Sequence, residues 1–201
     1  MRTWLRTPSA WWVQLALGLL PLLWLVWRTF MDQLGANPAE ALIRSTGDWT
    51  LRGLCLTLAI TPLRVQLGWP ELARFRRLLG LLTFSYASLH LVCYAWFDMG
   101  LDWSDIVRDI PQRPFVLVGT LAFILLTLMA ATSWNAAIRR LGARRWQALH
   151  RSVYAVAVLA VLHFWWMRAG KNDFNEVWVY AFLLAALLGW RLTRRLNARS
   201  A

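Results

Sequence analysis

Residues 141–166, LGARRWQALHRSVYAVAVLAVLHFWW, decide the fold. A basic turn leads into an apolar run that carries His150 just inside its basic end and His163 13 residues further on. At ~1.5 Å of rise per residue, that separation is about 20 Å along a helix axis. No charge follows Arg151 between the two. A histidine deep in a membrane helix is costly and usually faces a bundle interior with a task there. The remaining histidine, His90, lies in RRLLGLLTFSYASLHLVCYAWF (76–97), a second apolar run that also opens on arginines. The two runs read as matching halves of a metal or cofactor site.

Composition agrees with a membrane setting. The 201 residues suit a single domain, 1–201, and 59% of them are hydrophobic. A net charge of +12 would fit nucleic acid, but the arginines sit between apolar runs and not on a basic face of a soluble domain. A lipid bilayer is the partner this charge implies, with no nucleic acid. The first ten residues lack a short apolar stretch with a small-residue cleavage site, so 11–27 is expected to be a retained helix. Cys55 and Cys93 both fall in apolar runs and read as small buried residues, not a disulfide.

The expected fold is all-α: a membrane bundle of six transmembrane helices at roughly 10–29, 48–66, 76–97, 114–134, 148–167 and 176–194. The second is the weakest, with Asp48 and Arg52 at its start and Pro62 expected to end or kink it. Gly80 is expected to permit close helix contact, and Pro114 suits a first helical turn. The longest connection is expected between the first two spans, at about 18 residues. One side of the bundle then holds Arg2, Arg6, Arg64, Arg74, Arg76, Arg77, Arg139, Arg140, Arg144, Arg145, Arg151, Arg191, Arg194, Arg195 and Arg199 against the single acid Glu71. The opposite side holds seven basic residues and nine acids, which places both termini in the cytoplasm. Most of the 15 tryptophans read as interfacial belts.

On this topology His90 and His163 reach nearly the same depth, toward the outer face. Two neutral imidazoles on facing helices suit the axial positions of a haem b. Zinc would want four ligands, and neither cysteine lies at that depth. His150 sits at the inner interface, where its spacing from His163 matches two stacked haems. The corresponding inner position on the third span holds Arg76 or Arg77, which cannot ligate iron but can pair with propionates. One or two haems follow. The outer acids Asp98, Asp102, Asp105 and Asp109 read either as a solvated loop or as a docking rim.

The segments TLAITPLR (57–64), RRLLGLLTFSYASLH (76–90), RP (113–114), LHRSVY (149–154) and LHFWW (162–166) occur in an order and spacing that resemble the MsrQ (YedZ) family. These are haem-binding membrane subunits of bacterial periplasmic methionine sulfoxide reductase systems. They belong to a ferric-reductase-like transmembrane group that includes the membrane parts of NADPH oxidases. The resemblance implies b-type haem, FMN, and residence in the bacterial inner membrane. It implies electron transfer from the quinone pool, or from a cytoplasmic flavin reductase, to a periplasmic molybdopterin-containing methionine sulfoxide reductase subunit that repairs oxidised proteins. Any substrate-reducing site is expected on that partner. By matching position, His90 and His163 would ligate the outer haem, and His150 would serve an inner one with Arg76 opposite. Larger relatives carry a fourth histidine and a cytoplasmic flavin–nicotinamide domain; this chain is expected to lack both, so NADPH is not expected as its direct donor. The alternatives are a stand-alone ferric or quinone reductase, a histidine-bearing proton or metal transporter, and an assembly anchor whose histidines only hydrogen-bond. The absence of acids from the span interiors weighs against the transporter.

Overall fold

The computed structural model describes residues 3–170 and 172–200, with the backbone alone at Arg199 and Ser200. Arg2 lies outside the described residues, as does the side chain of Arg199. The described chain is helical throughout and forms two compact units, Met1–Leu101 and Asp102–Ala201.

The first unit contains α1 (Pro8–Phe30), α2 (Pro38–Gln66) and α3 (Phe75–Cys93), and a π-helical turn at Tyr94–Asp98 extends α3. Proline occupies the start of α1 and α2, where its missing N–H removes no helical bond. At α2 the Asn37 side chain accepts from the Glu40 amide at 3.1 Å, a cap on one of the orphan donors of the first turn. This cap starts α2 ten residues before the expected position, leaving only 31–37 between α1 and α2 instead of the long connection foreseen. Nor does Pro62 end the helix: it is buried, and α2 continues to Gln66.

Helices in lipid gain nothing from hiding apolar side chains from each other, so close packing of small residues matters more. In the first unit that role falls to Gly18 and Gly53. A Cβ on Gly18 would collide with the Leu82 side chain, and one on Gly53 would come within 2.6 Å of Thr83 Oγ1. Gly80, the expected contact residue, has nothing within 4 Å of such a Cβ. Large side chains of α1, among them Trp12, Leu17, Leu23 and Trp24, are exposed, as a lipid-facing helix requires.

The second unit contains α4 (Trp103–Gln112), α5 (Pro114–Ala131), α6 (Asn135–His150), α7 (Val153–Ala169) and α8 (Asn175–Ser200). The short helix α4 occupies what the sequence suggested was an acidic loop. Asp102 caps it, accepting from the Ser104 and Asp105 amides at 2.8 and 3.2 Å, and Asp109 pairs with Arg113. These two of the four outer acids are therefore bound into local structure. In α6 the backbone breaks at Gly142, whose φ of 75° and ψ of 154° lie outside the helical region and favour glycine. A turn at Arg151–Ser152 then separates α6 from α7, so His150 and His163 do not share one unbroken helix.

Five segments are long and apolar enough to cross a membrane among the described residues: Pro8–Phe30, Pro70–Asp98, Pro114–Ala131, Asn135–Ala169 and Asn175–Ala198. Helix α2 is not one of them; Glu40, Arg44, Asp48 and Arg52 occupy its first half, and Arg64 lies near its end.

Candidate functional site

The two intramembrane histidines are held in the same way, each within its own unit. In the first, His90 lies near the C-terminal end of α3, and its Nδ1 is 2.8 Å from the Ile43 carbonyl oxygen, early in α2. In the second, His163 lies near the C-terminal end of α7, and its Nδ1 is 2.7 Å from the Phe115 carbonyl oxygen, in the first turn of α5. A carbonyl can only accept, so both rings carry their proton on Nδ1 and donate it. The lone pair then resides on Nε2, the nitrogen a metal would take.

One helical turn after each carbonyl comes a glycine. Gly47 follows Ile43 by four residues, and Gly119 follows Phe115 by four. A Cβ at Gly47 would lie 3.1 Å from His90 Nδ1, and one at Gly119 would lie 2.9 Å from His163 Nδ1. Each ring therefore rests on bare backbone beside the carbonyl it bonds. Sequence reasoning found both histidines and missed both glycines. The available signal was the repeated interval, since His90 follows Gly47 by 43 residues and His163 follows Gly119 by 44.

His150 is held differently. Its Nε2 lies 3.2 Å from Thr132 Oγ1, and its ring stacks on Trp146 at 4.0 Å between centroids. The Thr132 hydroxyl donates its proton to the Leu128 carbonyl at 2.8 Å, so it accepts from His150. This ring therefore carries its proton on Nε2, the opposite tautomer to the other two. Trp146 also donates to the Thr132 carbonyl at 2.9 Å. Arg76 is exposed in the first turn of α3.

The donor set fits haem better than a protein-only metal site. Among the described residues no group of three or more His, Cys, Asp or Glu side chains is placed to hold a metal. A haem brings four nitrogens and asks the protein for at most two axial ligands. Neutral imidazoles whose Nδ1–H is tied to a carbonyl are the form in which histidine ligates metals, with the second bond fixing ring and tautomer.

Fold and site together define a multi-pass helical membrane protein with two carbonyl-tethered intramembrane histidines. The family model for the ferric reductase like transmembrane component matches residues 13–161, stopping just short of His163. The protein-methionine-sulfoxide reductase heme-binding subunit MsrQ of Polaromonas naphthalenivorans is 61% identical over 189 residues, 94% of this chain and 86% of the relative. Those of Ralstonia nicotianae and Bordetella pertussis are 54% and 50% identical, over 88% and 92% of this chain and 81% and 89% of their own lengths. No solved structure matches. The chain belongs to the ferric-reductase-like transmembrane family and, within it, to the MsrQ subunits.

Proposed function

We propose that this chain is the haem b-carrying electron-transfer subunit of a protein-methionine-sulfoxide reductase system. The observation that carries the proposal is the pair of Nδ1–carbonyl bonds at His90 and His163, which in the neutral rings make Nε2 the ligating nitrogen. Through those nitrogens His90 and His163 would hold the outer haem. When bound, the haem supplies one-electron exchange between ferric and ferrous iron. The chain itself orients the ligands, fixes their tautomer and surrounds them with apolar helices that keep water away.

In this reading 1–201 works as one transmembrane domain in the bacterial inner membrane. Helix α2 is the sixth span, its charged first half tolerated through pairings such as Glu40–Arg44 at 2.8 Å. The arginine-rich ends, with both termini, lie in the cytoplasm. Electrons enter from quinol or from a cytoplasmic flavin reductase, with FMN as the family's second cofactor. They leave to a periplasmic molybdopterin subunit that reduces methionine sulfoxide. His150 would hold a second, inner haem, and Arg76 would pair with its propionates. Ligation there through Nδ1 would keep the Thr132 bond, whereas ligation through Nε2 would exchange it for iron.

Replacing His90 or His163 with alanine tests the outer pair. Either variant should lose the low-spin haem signal and electron transfer together while still reaching the membrane. Retention of that signal in both variants would overturn the assignment.

A further inference from the structure

We infer that Gly47 and Gly119 are positioning residues that set the strength of the Nδ1–H bonds of His90 and His163, and through them the redox potential of the centre these histidines hold. The inference rests on the proposed ligation by His90 and His163.

A glycine in a membrane helix ordinarily serves the close approach of two backbones. Gly53 fits that role, because the atoms nearest to its virtual Cβ include the Thr83 Cα at 3.5 Å as well as the Thr83 side chain. Gly47 and Gly119 do not. For each, all three of the nearest atoms belong to the imidazole ring: Cε1, Nδ1 and Nε2 of His90, and Nδ1, Cε1 and Cγ of His163. What these glycines make room for is a ring, in two separate units, on the same side of a bonded carbonyl.

The consequence follows from geometry. A methyl group at Gly119 would stand 2.9 Å from Nδ1, closer than carbon and nitrogen tolerate, so the ring would have to withdraw by some tenths of an ångström. Withdrawal stretches the 2.7 Å bond to the Phe115 carbonyl. At Gly47 the contact would be 3.1 Å and the ring would have less to give. An Nδ1–H bonded to a carbonyl makes imidazole a stronger electron donor through Nε2, which favours ferric over ferrous iron. Loosening the bond removes part of that bias and raises the potential.

The test is spectroelectrochemical titration of the purified full-length haem protein and of three variants, Gly119→Ala, Gly47→Ala and Gly80→Ala. Gly80, with nothing within 4 Å, controls for the loss of a helix glycine. The expected result is an upward shift in midpoint potential for Gly119→Ala, a smaller upward shift for Gly47→Ala and none for Gly80→Ala. The ferric low-spin electron paramagnetic resonance signal should change in the same order. If Gly119→Ala folds but loses its haem while Gly80→Ala stays loaded, the shift in Gly47→Ala decides. If Gly119→Ala does not fold, the milder Gly47→Ala decides. Unchanged potentials and spectra in haem-loaded Gly119→Ala and Gly47→Ala, or shifts equal to that of Gly80→Ala, would overturn it. A parent protein without haem would instead overturn the ligation on which it rests.

Discussion

The Tyr86 hydroxyl of α3 stands in the hydrogen-bond ladder of α1, accepting from the Leu22 amide at 3.1 Å and donating to the Gly18 carbonyl at 2.8 Å. Leu22 and Gly18 are four residues apart, an amide and carbonyl that an undisturbed helix would pair directly. Pro21, inside α1, lies in that turn and has no N–H to give the Leu17 carbonyl. A side chain from the neighbouring helix thus bridges the proline turn and ties α1 to α3, the helix that carries His90.

Tyr86→Phe should therefore cost more than a surface hydroxyl. It deprives two backbone groups of a partner in apolar surroundings, a loss of about 1–2 kcal/mol. Denaturant titration in detergent would show it as a lowered midpoint, and an unchanged midpoint would contradict the bridging role.

Gly53→Ala should separate α2 from α3. Its Cβ would meet Thr83, which is 2% exposed and whose hydroxyl already donates to the Leu79 carbonyl at 2.8 Å. Overpacking of this kind costs about 1–3 kcal/mol. Gly80→Ala, made in open space, should be neutral or gain up to about 1 kcal/mol from helix propensity. Comparing the melting temperatures of the two variants checks both.

The cap on α4 should be lost in acid. The Ser104 hydroxyl, with the Asp105 and Ser104 amides, holds the Asp102 carboxyl below the usual aspartate range. A carboxylate whose folded value is depressed contributes stability above its unfolded value, about 3.9, and loses it as pH falls through the folded value. Hydrogen exchange at the Ser104 and Asp105 amides should therefore gain protection above about pH 4 and lose it below. Asp102→Asn, which keeps an acceptor without the charge, should flatten that dependence.

His150 separates one haem from two. In a protein carrying both, His150→Ala should halve the haem content and leave the outer haem's spectrum in place. Thr132→Val, which removes the acceptor at 3.2 Å, should alter only the inner component. Pyridine haemochrome assay of both variants against the parent would give the content and reduced-minus-oxidised spectra of the intact proteins the component altered, and an unchanged content in His150→Ala would exclude His150 as a ligand.

Much of this architecture was legible in the chain. Long charge-poor runs mark the helices because a bilayer rewards nothing else, and His90 and His163 stand out because ionisable groups are rare there. The boundaries of α2 were less legible. Asn37-Pro38-Ala39-Glu40 is a helix-start signature, but the charges that follow it hide the helix from a hydropathy reading. Helix α4 was missed for a related reason, since Asp102 and Asp105 look like loop residues until the cap they form is seen. Pro62 does not end α2, which runs to Gln66, the end expected for that span. The glycines beneath the two rings were beyond a local reading, because their partners lie more than 40 residues away.

The most direct measurement is a reduced-minus-oxidised visible spectrum of the purified protein, expressed with ample haem, together with its haem-to-protein ratio. The account predicts sharp α and β bands of a low-spin b-type haem at one or two haems per chain. A colourless, folded protein would contradict it.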